Sequence, residues 1–142
     1  MNEFLYEEIC IGQTASFKKV ITTDMENIFR DITGDINPLH KDDSFAKEIA
    51  SGRYESHVTF GMLTASLLST LAGVYLPGKY SLIHSIENIS FKKPVYAGDI
   101  LNVEGTVIDK QDDLKLIRVE VKISNQHNKT VLKAGMKILV QK

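Results

Sequence analysis

An acid and an imidazole lie five residues apart in the segment Gly34-Asp35-Ile36-Asn37-Pro38-Leu39-His40. Asn37 precedes a proline and is pushed toward extended geometry, while the ring of Pro38 fixes its own φ. The backbone from Asp35 to His40 therefore has few conformers and can hold two functional groups in register. A carboxylate and a neutral imidazole that share one water can deprotonate it and deliver a proton elsewhere, which is general acid–base catalysis. The pair predicts an enzyme that needs neither a metal nor a covalent nucleophile.

Composition argues against several other classes of protein. The chain has 142 residues, 43% hydrophobic and 25% charged, which predicts one globular domain over residues 1–142. A net charge of −1 provides no field for steering onto nucleic acid or an anionic membrane. No apolar run is long enough to span a membrane, and the acidic start is unlike a secretory leader. The single Cys10 cannot form an internal disulfide, so we expect a soluble protein in the reducing cytoplasm.

Hydrophobic periodicity predicts a helix that leads into the acid–imidazole segment. Thr23 and Glu26 have the spacing of a capping box at its start. Gly34 is placed to end it. Between them, apolar residues repeat at helical spacing at Met25, Ile28, Phe29 and Ile32. A short amphipathic helix is therefore expected to deliver the chain to Asp35.

Two further helices are predicted after that segment. A short one is expected from Ser44 to about Ala50. From about Phe60 to Leu71 apolar residues surround the helix axis and only Thr and Ser interrupt them. This third helix is therefore predicted to be central and buried.

After the turn Leu76-Pro77-Gly78 the apolar residues follow a period of two, which indicates half-buried strands. An antiparallel meander is expected around Leu101 to Val107, Ile117 to Ile123 and Leu132 to Val140, with turns at Lys110 to Asp113 and Asn125 to Lys129. Earlier strands are expected near Ala15 to Ile21 and from about Tyr80 to Phe91. One curved sheet against a helix without a polar face is an α+β architecture.

The segment from Gly34 to Asp42 resembles the signature of the MaoC-like, (R)-specific enoyl-CoA hydratases of the hot-dog fold. Further pieces resemble that family in the same order, namely Gly61-Met62-Leu63, Leu76-Pro77-Gly78 and Phe91-Lys92-Lys93-Pro94-Val95-Tyr96-Ala97-Gly98-Asp99. The resemblance covers nearly the whole chain. It implies the hot-dog fold, in which a curved antiparallel sheet is wrapped around one long buried helix.

The resemblance also implies the reversible addition of water to a trans-2-enoyl thioester, giving an (R)-3-hydroxyacyl thioester on coenzyme A or acyl carrier protein. Asp35 and His40 match the catalytic pair, and Gly61 matches the glycine whose backbone N–H is the oxyanion donor. Asn37 is a further substrate-binding candidate, although ordering the loop is its commoner role. The assignment of base and acid between Asp35 and His40 stays open, because a coupled pair titrates as a unit.

Other polar residues carry weaker signals. Metal-ligand spacing is missing around His40, so no metal is expected, and no dinucleotide or phosphate-loop motif suggests a cofactor. His57, His84 and His127 lack any partner pattern and are expected to be structural or surface residues.

One position departs from the family pattern: the family places His-Gly-Met where this chain reads Phe60-Gly61-Met62. Phe60 either holds Gly61 by packing alone or, if the family's histidine contacts substrate, changes selectivity. Two other functions stay open, a hot-dog acyl-CoA thioesterase and a non-catalytic acyl-thioester binding module. A homodimer or higher homo-oligomer is expected, since a lone sheet around one helix leaves an exposed edge and an open face.

Overall fold

Five strands and three helices account for most of the chain, and the computed structural model describes all 142 residues. In chain order they are β1 (Thr14–Val20), α1 (Thr23–Thr33), α2 (Asp43–Ile49), α3 (Gly61–Thr70), β2 (Ser81–Phe91), β3 (Ile100–Gln111), β4 (Leu116–Ser124) and β5 (Thr130–Val140). Short 3₁₀ turns occur at Tyr6–Glu8, Pro38–His40 and Asp112–Leu114, and α3 continues as a π-helical turn over Leu71–Tyr75. None of the helices is long and apolar enough to cross a membrane.

The strands form one antiparallel sheet in the order β1-β3-β4-β5-β2. The meander of β3, β4 and β5 and its two turns are confirmed, as are the two earlier strands. Register shifts interrupt the β2–β5 pairing, one of them next to Asn88, whose φ is +53°. Such bulges bend a strand and increase its twist, which helps a sheet to curve around a helix.

Helix α3 is the centre of the core, as predicted. Its buried side chains include Leu63, Leu67 and Leu68, and each fully buried leucine stabilises the fold by roughly 1.5–3 kcal/mol. The helix and the sheet approach each other closely at Gly105, where an added Cβ would lie 2.8 Å from Leu71 Cδ2. The α+β class and the hot-dog arrangement of sheet and helix are confirmed.

Helix α1 differs from its prediction in how it begins and in which face is buried. Its N-cap is Thr22, whose Oγ1 accepts the Met25 N–H at 3.2 Å, so the capping box on Thr23 was wrong. The side chain of Glu26 is thereby free to turn inward, where it is only 1% exposed. Ile32 instead is 77% exposed. The face of α1 that turns toward the core therefore differs from the face formed by the predicted apolar residues.

The N-terminal segment is fastened to the end of β3. The Tyr6 hydroxyl donates to Asp112 Oδ1 at 2.7 Å, and the Lys110 ammonium lies 4.3 Å from the centre of the Tyr6 ring. Lys110 Nζ also donates to the carbonyl oxygens of Tyr6 and Ile9, at 2.9 and 2.6 Å. Burial and the hydrogen bond to Asp112 raise the pKa of Tyr6 to about 12, because both disfavour the phenolate.

Candidate active site

The loop after α1 is ordered by its own side chains. Gly34 ends the helix with a φ of +72°, a left-handed conformation that glycine adopts without strain. Asp35 Oδ1 then accepts the Asn37 N–H at 3.0 Å, and Asn37 Oδ1 accepts the Leu39 N–H at 3.0 Å. The Asn37 oxygen therefore caps the 3₁₀ turn that carries His40. The second oxygen of the Asp35 carboxylate, Oδ2, has no partner in the chain.

His40 is held in one orientation by three contacts. Its Nδ1 lies 2.6 Å from the Val58 carbonyl oxygen, and its own carbonyl accepts a hydrogen bond from Arg30 Nη2 at 2.9 Å. Its ring packs against the Phe60 ring with centroids 4.2 Å apart. Because a carbonyl can only accept, Nδ1 carries the proton, and Nε2 of the neutral ring has a free lone pair. The position of Val58 thus decides which nitrogen of His40 can act as a base.

Phe60 is buried at the residue that precedes α3. Besides the His40 ring, it contacts the Phe29 ring at 5.1 Å between centroids, and the Arg30 guanidinium lies 5.6 Å from its centre. Two explanations were open for Phe60 in place of the family's histidine, and these contacts support the one in which Phe60 acts by packing. Phe60 links α1 to the start of α3 and closes one side of the His40 ring.

Gly61 is the first residue of α3, so its N–H has no acceptor within the helix, and it donates to nothing else in the chain. Gly61 and His40 line one cavity of about 330 Å³, together with Tyr54, Thr64 and Phe91 among others. The Phe91 ring lies directly over Gly61, because a Cβ there would be 3.0 Å from Phe91 Cε1. A free donor at a helix start is a favourable site for a developing negative charge.

The structure thus brings two of the four predicted site residues into one cavity. Asp35 and Asn37 do not line it in the single chain, and both are exposed on the loop that precedes His40. A separate groove of about 430 Å³ on β3, β4 and β5 contains neither member of the acid–base pair. The cavity therefore contains His40 and the Gly61 N–H, and Asp35 lies outside it on the loop that leads to His40.

A cluster that sequence reasoning missed lies next to the cavity. His57 Nδ1 is 2.6 Å from Asp43 Oδ1, and His57 Nε2 is 3.1 Å from Glu26 Oε1. Glu26 Oε2 accepts the Thr59 hydroxyl at 2.8 Å. Burial alone would lower the pKa of His57, but the hydrogen bonds to Asp43 and Glu26 outweigh it and raise the pKa above its ordinary value. The pKa of Asp43 is lowered, first by the hydrogen bond from the His57 backbone N–H and then by the ring.

Only one signal in the sequence could have suggested this cluster. Glu26 is an acid one residue from Met25 and three from Phe29, the two apolar residues of α1 that turn inward. An acid on the inward face of a helix needs a buried partner. The expectation that His57 is a structural or surface residue understates its role, since its ring joins two carboxylates.

The chain is similar to known proteins over most of its length. A family model described as "MaoC like domain" matches residues 8–129. The (R)-specific enoyl-CoA hydratase of Aeromonas caviae is 36% identical over 116 residues, which are 82% of this chain and 84% of that protein. The 3-hydroxybutyryl-CoA dehydratase of Methylorubrum extorquens is 34% identical over 104 residues, 73% of this chain and 64% of that protein. The unliganded R-hydratase PhaJ1 of Pseudomonas aeruginosa has a TM-score of 0.88 at 27% identity, covering 99% of this chain and 87% of that one.

Proposed function

The chain belongs to the MaoC-like domain family, and on that premise we propose that it is a hydro-lyase. Its reaction is the reversible hydration of trans-2-enoyl-CoA thioesters to (R)-3-hydroxyacyl-CoA thioesters. The names of its relatives support this reaction class. The observation that carries the proposal is the pairing, in one cavity, of a His40 ring whose Nε2 is free with an unpaired Gly61 N–H.

The proposed mechanism uses each of these groups once. The lone pair of His40 Nε2 and the carboxylate of Asp35 together hold a water and take its proton, and the hydroxide oxygen bonds to Cβ of the enoyl group. The electron pair of the double bond moves toward the thioester, and the negative charge that develops on its oxygen is met by the Gly61 N–H at the positive end of α3. The proton taken from the water is then delivered to Cα. One water is thus added across the double bond, and no group leaves.

We propose that the chain forms a homodimer through one edge of its sheet. Strand β2 has only one paired neighbour, and its side chains Leu82, Ile86 and Phe91 are exposed, as is Met62 on α3. The other edge strand, β1, carries Lys18 and Lys19, which protect an edge against pairing. A homodimer that continues the sheet across β2 would bury this apolar edge, and sedimentation velocity measures whether the chain has twice its own mass in solution.

We also propose that residues 1–142 work as one domain in the cytoplasm. Cys10 is exposed and unpaired, and an exposed free thiol is stable where thiols are kept reduced. Fractionation of the source cells tests the location, and recovery of the protein from a membrane or exported fraction would contradict it.

The function is tested with crotonyl-CoA by following the loss of absorbance of the conjugated thioester while free thiol is measured in parallel. We expect the enoyl signal to disappear without thiol release. Asp35→Asn and His40→Ala should each lower the rate by roughly a hundredfold or more, the usual scale for general acid–base groups. His127→Ala, an exposed turn residue, is the matched control and should leave the rate unchanged.

Each other outcome overturns the proposal in a different way. Release of thiol that depends on His40 would identify a thioesterase. Binding of enoyl thioesters of several lengths without turnover would identify a binding module. Full hydration activity in both Asp35→Asn and His40→Ala would show that the acid–base assignment is wrong.

A further inference from the structure

His57 lies between two carboxylates and immediately before the residues that form the cavity. We propose that His57 is a positioning residue of the active site: bridging Glu26 and Asp43, it fixes residues 57–61 and with them the Val58 carbonyl that sets the tautomer of His40. This inference rests on the proposed hydratase function, because it assigns to His57 a part in keeping His40 Nε2 free to act as a base.

The first step is the charge of the His57 ring. Both of its nitrogens face carboxylate oxygens, and an ionised carboxylate can only accept hydrogen bonds. Both nitrogens must therefore carry protons, which makes the ring an imidazolium. The buried Glu26 carboxylate has one oxygen on this ring and the other on the Thr59 hydroxyl. Removing His57 would leave a buried carboxylate without its cationic partner, which proteins tolerate poorly.

The second step is how tightly the segment is anchored. The His57 backbone N–H donates to Asp43 Oδ1 at 2.9 Å, so both the ring and the backbone of this residue are tied to α2. The Val58 N–H donates to the Leu39 carbonyl at 3.0 Å, and the Thr59 N–H donates to the Val95 carbonyl at 2.8 Å. Val58 thus lies between His57, anchored to α1 and α2, and Thr59, anchored to α1.

The third step connects this segment to the chemistry. The Val58 carbonyl oxygen is the acceptor for His40 Nδ1, at 2.6 Å. If residues 57–59 shift, Nδ1 loses its acceptor and the proton can move to Nε2, which removes the base from the neutral ring. The same segment continues through Phe60 into Gly61, so its displacement also moves the oxyanion donor. A displacement on the scale of an ångström at reacting groups can cost roughly a hundredfold in rate.

The bridge also gives the site a dependence on pH. The charged groups that face His57 are Glu26 from α1 and Asp43 from α2. Because they raise the pKa of His57, the bridge is complete below its ordinary pKa and is lost as the pH rises through the raised value. Loss of the imidazolium leaves two carboxylates without the cation between them. The turnover number should therefore fall on the alkaline side as His57 loses its proton.

The test uses His57→Gln, which keeps a hydrogen-bonding side chain and removes the charge, with His127→Gln in an exposed turn as the matched control. For crotonyl-CoA hydration by the full chain, we expect kcat to fall about tenfold to a hundredfold with a smaller change in KM, since the base and the oxyanion donor act mainly in the transition state. The alkaline limb of the kcat profile should disappear in His57→Gln and persist in the control.

A second readout does not depend on activity. In the ¹⁵N-histidine NMR spectrum of wild type, His40 should show the pattern of a neutral ring protonated at Nδ1, and in His57→Gln that signal should become a mixture of tautomers. A wild type that hydrates none of a series of enoyl thioesters of different lengths would refute the function while this spectrum still tests the positioning.

The inference is overturned if His57→Gln folds and leaves kcat, its pH profile and the His40 tautomer unchanged. If His57→Gln fails to fold, Asp43→Asn replaces it, because that side chain is exposed and its amide oxygen can still accept from the ring. In Asp43→Asn the alkaline limb should move to lower pH, since one of the two charges that raise the pKa of His57 is gone. An alkaline limb at the wild-type position would then refute the inference.

Discussion

The sharpest test of the oxyanion assignment is Gly61→Ala, because it keeps the backbone N–H and changes only the space in front of it. The added Cβ would lie 3.0 Å from Cε1, 3.1 Å from Cδ1 and 3.3 Å from Cζ of Phe91. Carbon atoms in contact prefer roughly 3.5–4.0 Å, so the ring must move by about half an ångström. In the single chain Phe91 is 52% exposed and has room for that adjustment.

The expected effects on stability and on activity therefore differ. In a helix interior alanine is favoured over glycine by up to about 1 kcal/mol, so the gain at Gly61, the first residue of α3, is smaller, and the shift of the Phe91 ring offsets part of it. The free energy of unfolding should change by less than about 1 kcal/mol. A thioester oxygen, by contrast, must come within about 2.7–3.1 Å of the Gly61 nitrogen, and the methyl group stands beside that approach. Loss of one oxyanion donor costs roughly a hundredfold to a thousandfold, so partial obstruction should lower kcat/KM by about tenfold to a hundredfold.

The assay pairs crotonyl-CoA hydration with urea denaturation of the same preparations. The double variant Gly61→Ala/Phe91→Ala separates the two steric effects. If the methyl acts by pushing the Phe91 ring into the cavity, the double variant should be as active as Phe91→Ala alone. If the methyl acts on the substrate directly, as we expect, the double variant should be less active than Phe91→Ala. A folded Gly61→Ala protein with unchanged kcat/KM would refute the placement of the thioester oxygen at Gly61.

Two further predictions concern stability and assembly. Because the pKa of Tyr6 is raised to about 12, the neutral phenol stabilises the folded state below the ordinary tyrosine pKa of about 10, and this contribution is lost as the pH rises toward the raised value. Urea denaturation should show wild type weakening above about pH 10 more steeply than Tyr6→Phe, and parallel curves would contradict this. Ile86→Lys on the free edge of β2 should reduce the sedimenting mass toward that of one chain and lower hydration activity, whereas Ile108→Lys, exposed on β3, should not. An Ile86→Lys protein that keeps its mass would exclude this edge as the dimer contact.

The parts of the fold that were predictable are those with strong local periodicity. Helix α3 lacks a polar face, and the meander alternates over three long strands, so both signals come from neighbouring residues. The start of α1 was missed by one residue, because Thr22 and Thr23 both offer a capping hydroxyl and only the backbone decides between them. Its buried face was misjudged because Ile28 and Ile32 have the spacing of core residues yet lie exposed in the single chain.

In the candidate site, too, the predictable part is the part set by neighbouring residues. Asp35, Asn37 and His40 lie within one short loop, so their spacing was visible in the sequence. The Glu26–His57 contact joins residues 31 positions apart, and the loop that carries His57 has no periodicity that could place it. The pairing depends on how α1, α2 and that loop pack together. The spacing of residues along the chain could not have predicted that packing.

Phe60 and the bridge at His57 hold the same loop by different means. A phenylalanine before Gly61 cannot form a polar hydrogen bond to hold the loop, and its ring instead covers one side of His40. The polar ties of the loop to α1 come from Thr59 and His57, both of which bond to Glu26 and lie behind the cavity wall. With Nδ1 committed to the Val58 carbonyl and one ring face against Phe60, Nε2 is the polar atom that His40 offers to a water. Phe60, which departs from the family pattern, thus helps to leave Nε2 as the ring nitrogen of His40 without a partner in the chain, and this is the nitrogen that we propose as the base.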